Sequence, residues 1–454
     1  MNKLYAGYSS VTVNPPLGIG IGGYYVPRFA KGVLDDLEVG ALVLSLGEER
    51  IAIVSVDACL IGRDLTDLYS EMIERSLGIP RDNVMISATH THTSGLLFPT
   101  SAFKSDENLI KEYRELLGER IATAVRLAVL DLKEAKIGFI HGYAPERVAY
   151  IRRYRMKDGS VMTCPPIGDP NIDHPLGKID PRVNLLRIER EGAPPIALVN
   201  FGLHADTIGG ELISPDWPGW MRRTLDKALS GVKCIFLNGA EGDVGSTRVH
   251  PERGDMNDTE ISFDNEMKSP GMARFVGRAI AGTVLGIWDK AYFKDVDTIG
   301  IIKRRVTLDA NLPTEDELAI ATEYKRLHDE GRDDLIPYTA MELTTVVGES
   351  LRMCRMAGGP KSFSFDITGI RIGKLAIVGF PGEPFTEIGV RVKEAPDWDM
   401  ILPVCLANGN EGYFPTSSAY DEGGYETRTS PYKKGVDDIL VREASFLLSD
   451  LGAK

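Results

Sequence analysis

Residues 84–95 read VMISATHTHTSG and join an apolar strand to a loop of histidines and small residues. In a strand, residues two positions apart point to the same side, so we expect His90 and His92 to converge on one site. Zinc accepts imidazole ligands at about 2.0–2.1 Å, and the small residues that follow leave room for a ligand. The alternative is that both imidazoles are hydrogen-bonded polar side chains without a metal. This segment indicates a candidate metal site at the end of a buried strand.

The sequence on either side of this segment alternates strands with helices. Residues 41–46 and 50–56 form one predicted hairpin, and residues 183–189 and 196–201 form a second. A hairpin pairs its strands antiparallel, which excludes a purely parallel sheet. We therefore predict an α/β fold of mixed β-sheets flanked by helices, in a single large catalytic domain spanning residues 1–454.

Hydrophobic periodicity predicts the other elements. Helices are predicted at residues 64–77, 107–130, 217–229, 273–289, 314–330 and 436–451. Further strands are predicted at residues 84–88, 136–141, 234–237, 300–308, 364–370 and 375–380. Residues 250–270 and 331–361 are predicted to be long loops or lids.

The composition restricts the possible partners. The 454 residues include 52 Lys and Arg and 65 Asp and Glu, which gives a net charge of −13. This charge disfavours nucleic acid and anionic membrane surfaces as partners. No apolar run reaches the roughly 18 residues of a membrane span, and the first residues contain no apolar signal core. We expect a cytoplasmic protein that acts on a small molecule; the sequence leaves its oligomeric state open.

Two further polar residues follow apolar strands. His204 comes directly after the predicted strand 196–201, and Glu383 follows the predicted strand 375–380 in a Pro-Gly-Glu-Pro sequence. A carboxylate avoids the end of a buried strand unless it is paired or bound to a metal. His90, His204 and Glu383 therefore form a credible catalytic zinc set with an open fourth position for water. The alternative is that Glu383 caps the helix after it.

The glycine-rich loop at residues 238–246 follows another apolar strand. Its glycines permit tight turning and close approach of the backbone to a ligand. Ser246 is a possible nucleophile, but no His-Asp partner is evident from spacing. A polar turn is the simpler interpretation.

Five separated blocks of the chain together resemble the neutral, non-lysosomal ceramidase family. The blocks are residues 11–18, residues 86–95, residues 200–204, residues 379–384, and the pair Gly412-Tyr413 and Tyr425-Glu426. Residues 86–95, which are similar to the family's histidine block, are the most specific of the five.

This resemblance implies a role for each site residue. It implies a zinc ion held by His90, His204, Glu383 and Tyr413. It also implies that His92, Arg152 and Tyr425 lie beside the substrate carbonyl.

The chain also departs from the family pattern. A serine that is a proposed nucleophile in the family aligns with Gly245, and Ser246 follows one residue later. Either the loop is shifted or the enzyme relies on zinc-activated water alone. The sequence also lacks the family's C-terminal immunoglobulin-like domain, which argues against ceramide itself as the substrate.

The leading hypothesis is a zinc-dependent amidohydrolase that cleaves a linear N-acyl bond with metal-activated water. One alternative is a zinc esterase or lactonase that acts on a polar metabolite. Another is a metal-binding protein without hydrolytic activity, which the absence of the family serine makes plausible.

Overall fold

A large mixed sheet carries both predicted hairpins in the computed structural model, which describes residues 3–100 and 102–453. Within these residues the sheet has nine strands. They are β1 (Leu4–Thr12), β2 (Glu38–Leu46), β3 (Glu49–Val56), β4 (Val84–Ala88), β5 (Lys133–Tyr143), β6 (Arg182–Arg190), β7 (Ala193–Phe201), β8 (Lys233–Asn238) and β9 (Tyr292–Lys294).

The order of strands in this sheet is β8-β7-β6-β5-β1-β2-β3-β4, and β9 pairs with β5. The pairs β3–β4 and β7–β8 at the two ends are parallel, and the other pairs are antiparallel. The sheet is therefore mixed, as predicted. The carboxyl ends of its parallel strands lead into the histidine loops and the glycine-rich loop.

A second, smaller sheet contains β10 (Ile299–Asp309), β11 (Ser362–Ile372), β12 (Leu375–Gly379) and β13 (Met400–Val404). Only its β12–β13 pair is parallel. One face packs against the large sheet through a shared apolar cluster that includes Leu44, Ile196 and Ile370. Alternation along a strand points its other side chains away from this cluster and towards helices.

Helices cover the outer faces of both sheets. The helices α1 (Arg63–Leu77) and α2 (Glu107–Leu130) cover one half of the large sheet, and α3 (Asp216–Ala228) and α4 (Pro270–Ile287) cover the other. The second sheet is covered by α7 (Thr386–Lys393) and α10 (Val436–Ala453). The layers therefore run helices, sheet, sheet, helices.

The prediction of a long loop at residues 331–361 is wrong. After α5 (Glu315–Asp329), this region contains α6 (Ala340–Met356). The β-branched run Thr344–Val347 and Gly348 lower its intrinsic helix propensity, which is why periodicity did not reveal it. Packing of Val346 and Leu351 in an apolar cluster with Leu327 of α5 stabilises the helix instead.

Shorter elements connect these layers. The short strands pair as Gly32–Val33 with Leu212–Ile213, Tyr150–Ile151 with Val244–Gly245, Glu260–Ile261 with Met267–Lys268, and Glu383–Pro384 with Tyr413–Phe414. A three-stranded sheet contains Arg153–Met156, Val161–Thr163 and Ile172–Pro175, and two short helices are α8 (Ser417–Glu422) and α9 (Tyr425–Thr429). Among the described residues, no helix has the length and apolar character needed to cross a bilayer.

Candidate metal centre

The candidate ligands lie on loops at the carboxyl ends of parallel strands. His90 follows β4, His204 follows β7 and Glu383 follows β12. The Asn238 amide at the end of β8 joins the first two loops: its Nδ2 donates to the carbonyls of Thr89 and Leu203, and its Oδ1 accepts from the Leu203 amide. Ligand sites in α/β proteins commonly form at this edge of a sheet.

His90 and His92 both reach the site, but alternation along a strand does not bring them together. The strand β4 ends at Ala88, and His90 has the left-handed φ of 68°. The chain then turns so that His92 pairs through its amide with the Ala205 carbonyl at 3.0 Å. The predicted convergence therefore holds, although a turn at His90 produces it.

Each candidate histidine is held through Nδ1, which turns its Nε2 towards the candidate site. The Nδ1 of His90 lies 2.7 Å from the Cys59 carbonyl, so it is the donor, and Nε2 faces Glu383 Oε2 at 3.4 Å. The Nδ1 of His204 lies 3.0 Å from the carbonyls of Glu241 and Val244, and its Nε2 also lies 3.4 Å from Glu383 Oε2. A hydrogen bond from one nitrogen fixes the tautomer that a metal requires at the other.

These three donor atoms fit a zinc ion. All three side chains are buried, and neither His204 Nε2 nor Glu383 Oε2 has a hydrogen-bond partner among the described residues. Two ligands bound at about 2.0–2.1 Å in tetrahedral geometry lie about 3.3 Å apart, which matches the 3.4 Å separations. Buried polar atoms without partners are costly, and a bound cation would satisfy them.

The charges of the three residues depend on one another. Burial alone lowers the pKa of His90, but Glu383 outweighs this effect and raises it well above 6.5. Burial and Arg152 lower the pKa of His204, whereas Glu241 and Glu383 raise it, and the net shift is upward. The pKa of Glu383 is held well below its usual range by the two histidines, against the effect of burial. The carboxylate thus favours protonated imidazoles, and the imidazoles favour the ionised carboxylate.

Glu383 and Tyr413 are direct partners in a short parallel ladder. Burial and Glu383 raise the pKa of Tyr413 well above 10, so a phenolate there requires a neighbouring cation. The Nη2 of Arg152 donates to the Tyr413 hydroxyl at 3.1 Å.

Glu383 does not cap α7, because Asp243 accepts the hydrogen bond from the Thr386 amide at 2.8 Å. The capping alternative for Glu383 is therefore wrong.

His92 lies beside the ligands but has a different electrostatic environment. Its Nε2 is 3.2 Å from His90 Nε2, and its Nδ1 is 3.3 Å from Asp206 Oδ2. Burial lowers its pKa to about 4, against the opposing effect of Asp206. Lys268 donates to the same carboxylate at 2.7 Å. At neutral pH, His92 is therefore an uncharged imidazole.

Arg152 and Tyr425 also reach the site. Arg152 donates through Nε to Glu426 at 2.8 Å and through Nη2 to the Gly242 carbonyl at 2.9 Å, which fixes its guanidinium. The Tyr425 hydroxyl lies 3.4 Å from that of Tyr25. The structure brings six of the seven site residues predicted from the sequence into the lining of a cavity of about 700 Å³, and His204 lies just behind it at the ligand cluster.

Several residues of this site were not predicted from the sequence. Glu241 is fully buried and its carboxylate contacts His204 Nδ1. It follows an apolar strand and is flanked by small residues, which is the signal that identified Glu383. Asp206, Asp264 and Glu266 also cluster beside the cavity, but the Lys268 ammonium lies within 3.3 Å of all three carboxylates. A cation of the chain itself therefore neutralises this second acidic cluster.

Ser246 does not take the place of the family serine. It lines a separate cavity, together with Arg147 and Arg248. A Cβ atom on Gly245 would instead lie 3.3 Å from Glu266 Oε1 and 3.6 Å from Arg152 Cβ, on the side of the candidate site. The chain therefore has no hydroxyl at this position.

The chain is similar in structure to two solved ceramidases. With the crystal structure of neutral ceramidase from Pseudomonas aeruginosa, the TM-score is 0.72 at 18% identity, over 99% of this chain and 75% of that one. With a structure of ceramidase complexed with C2, the TM-score is 0.71 at 17% identity, over 99% and 76%. No family model and no curated protein sequence matches the chain. The likeness confirms the predicted mixed α/β architecture: the chain has a ceramidase-like fold.

Proposed function

We propose that this chain is a zinc-dependent hydrolase that cleaves a linear amide, or N-acyl, bond with metal-activated water. One observation supports this most directly: His90 Nε2, His204 Nε2 and Glu383 Oε2 converge at a buried point beside the cavity. Three protein ligands with room for one more correspond to a catalytic rather than a structural zinc site. Tyr413 is a further candidate ligand, and if it also binds, the activated water would take a fifth position.

Bound zinc would lower the pKa of a water molecule to about 7 and would polarise a substrate carbonyl. The chain supplies the remaining chemistry. His92 is neutral at pH 7, so it can accept a proton from the attacking water and later transfer it to the leaving nitrogen. Asp206 faces its other ring nitrogen and favours the imidazolium between these two transfers.

Arg152 and Tyr425 are the candidate donors to the developing oxyanion. Arg152 is fixed by Glu426 and the Gly242 carbonyl, so little reorganisation is needed when charge develops. Burial raises the pKa of Tyr425 well above 10, so its hydroxyl keeps the proton that it donates. One such donor contributes about 3–4 kcal/mol of transition-state stabilisation. Gly245 provides no nucleophile, which favours direct attack by water.

The test combines metal analysis with activity in the His204→Ala variant. We expect the native protein to bind one zinc ion and to hydrolyse members of a panel of N-acyl amides faster than matched esters and lactones. His204→Ala should lose both zinc and activity. The control is His141→Ala, which changes an exposed histidine near the carboxyl end of β5. It should keep both zinc and activity. Stoichiometric zinc in His204→Ala contradicts the ligand assignment, and preferential hydrolysis of esters or lactones contradicts the amide assignment.

A further inference from the structure

A helical insertion forms one wall of the candidate active site. Asp309 and Ser362 are partners in the β10–β11 ladder, and α5 and α6 lie between them in sequence. An apolar cluster joins these two helices to Tyr25 and Phe103 of the N-terminal loops. The insertion is therefore packed onto the site.

One face of α6 lines the cavity. Its lining residues follow helical spacing and are Met341, Thr344, Gly348, Leu351, Arg352, Cys354 and Arg355. A Cβ atom on Gly348 would lie 2.7 Å from the Tyr25 hydroxyl, so the helix backbone and this ring are in close contact. Tyr25 in turn reaches Tyr425. Tyr25 therefore lies between this face of α6 and Tyr425, a predicted oxyanion donor.

Two guanidinium groups on this face have no carboxylate partner. Arg352 is 4% exposed, and it donates to the carbonyls of Arg428 at 2.8 Å and Asn311 at 2.6 Å. Arg355 is exposed, and its guanidinium makes no hydrogen bond to the described residues. No carboxylate oxygen among these residues lies within 4.0 Å of either group. Arg352 is therefore buried without a paired carboxylate, and Arg355 presents an unpaired guanidinium to the cavity, so this face of α6 can accept an anion.

The acidic residues of the cavity do not supply that anion. Asp206, Asp264 and Glu266 face Lys268, and Glu383 faces the two ligand histidines. Glu349 and Glu317, the nearest acids on α6 and α5, are engaged elsewhere, with Arg428 and with the cap of α5. These acidic residues are therefore neutralised, whereas Arg352 and Arg355 are not paired with a carboxylate.

We propose that Arg355, supported by Arg352, recognises an oxyanion on the substrate, so that the hydrolysed compound is an N-acyl amide bearing a carboxylate or a phosphate ester. This inference rests on the proposed function. The planar guanidinium offers paired N–H donors that match such an oxyanion. Leu96, Leu97 and Phe98 also line the cavity and form an apolar surface suited to the acyl chain. Ceramide carries no charge and would supply no anionic partner to either arginine.

Binding to the metal-free protein tests this proposal separately from catalysis. The probes are two matched pairs, N-hexanoylglycine with N-hexanoylglycinamide, and N-hexanoylphosphoethanolamine with N-hexanoylethanolamine, measured by calorimetry. We expect at least one anion to bind about tenfold more tightly than its neutral partner. The anion that binds more tightly shows whether the substrate oxyanion is a carboxylate or a phosphate ester.

Arg355→Gln should reduce that preference to about twofold or less. Arg442→Gln, a change in an exposed arginine of α10, is the matched control and should keep it. Equal binding of both members of each pair overturns the inference, as does a preference that Arg355→Gln leaves unchanged.

Hydrolysis of the same four compounds by the zinc-loaded protein then tests the proposed function. If none is cleaved, the amidohydrolase assignment for these compounds fails, while the binding measurements still decide the role of Arg355. If the neutral and anionic compounds are cleaved with equal kcat/KM and bound equally, the function stands and the inference fails.

Discussion

Adding one methyl group at Gly242 should weaken zinc binding without changing any candidate ligand. The Gly242 amide donates to the Pro384 carbonyl at 3.0 Å, which joins the glycine-rich loop to the segment that contains Glu383. In Gly242→Ala, the new Cβ atom would lie 2.6 Å from the Glu383 carbonyl oxygen and 3.2 Å from a ring carbon of Phe385. Both neighbours are buried, so neither can move into solvent.

The magnitude follows from these contacts. Ordinary van der Waals contact begins near 3.4 Å, so the Glu383 backbone must move by about 3.4 − 2.6 = 0.8 Å. A metal site tolerates shifts of about 0.2 Å in ligand distances. Overpacking of this kind costs about 1–3 kcal/mol. If zinc binding requires the native position of Glu383, the same free energy opposes binding and weakens it by about 5- to 150-fold.

Zinc affinity is measured by competition with a chelator, and the unfolding free energy of the metal-free protein is measured in parallel. Gly282→Ala is the control, because Gly282 lies on the exposed side of α4 with no atom within 4 Å of the new methyl group. It should stabilise the protein by about 0.4–1 kcal/mol and leave zinc affinity unchanged. If the folded Gly242→Ala protein binds zinc as tightly as the native protein, then the position of Glu383 set by this contact is not needed for zinc binding.

Three further predictions concern the same site. Glu241→Gln should weaken zinc binding about 10- to 100-fold, because its carboxylate contacts His204 Nδ1; unchanged affinity in the chelator competition contradicts that role. Zinc uptake at pH 7 should release protons from His90 and His204, because Glu383 and its neighbours raise their pKa values above 6.5 in the metal-free protein, and coordination by Tyr413 would release a further proton. Because those protons compete with zinc, the apparent affinity for zinc should rise as the pH increases above 6.5. Proton release is measured by calorimetry in buffers of different ionisation enthalpy, and the absence of release contradicts this prediction. Ser246→Ala should keep kcat/KM within about twofold, because Ser246 lines the other cavity; a loss of about tenfold or more means that this serine acts in the reaction.

Local sequence predicted most of the elements of the fold. The strand Val84–Ala88 and the helix Glu107–Leu130 have the predicted bounds, because apolar residues with clear periodicity define both. The helix α6 was missed, because its central run Thr344–Gly348 has low helix propensity and packing against α5 stabilises it. Propensity cannot reveal a helix that only its neighbours stabilise.

The same distinction applies to the candidate site. His90, His204 and Glu383 could be identified because each places a polar side chain after an apolar strand, where burial makes an unpaired polar group costly. Tyr413 was expected only from the resemblance, and its ladder with Glu383 joins segments that are far apart in sequence. Glu241 gives the same local signal as Glu383, but its contact with His204 Nδ1 exists only after β7 and β8 pair.

The sequence by itself determined most of the long strands and helices, and which strand ends present histidines and carboxylates. These properties depend on burial and hydrogen bonding within a few residues. Only the tertiary structure decided which strand ends meet, which nitrogen of each imidazole is free, and that α6 places Arg355 beside the cavity. Those outcomes depend on contacts between different segments, from His90 with Cys59 to His90 with Glu383. Such contacts are set by the packing of the whole chain rather than by any local pattern.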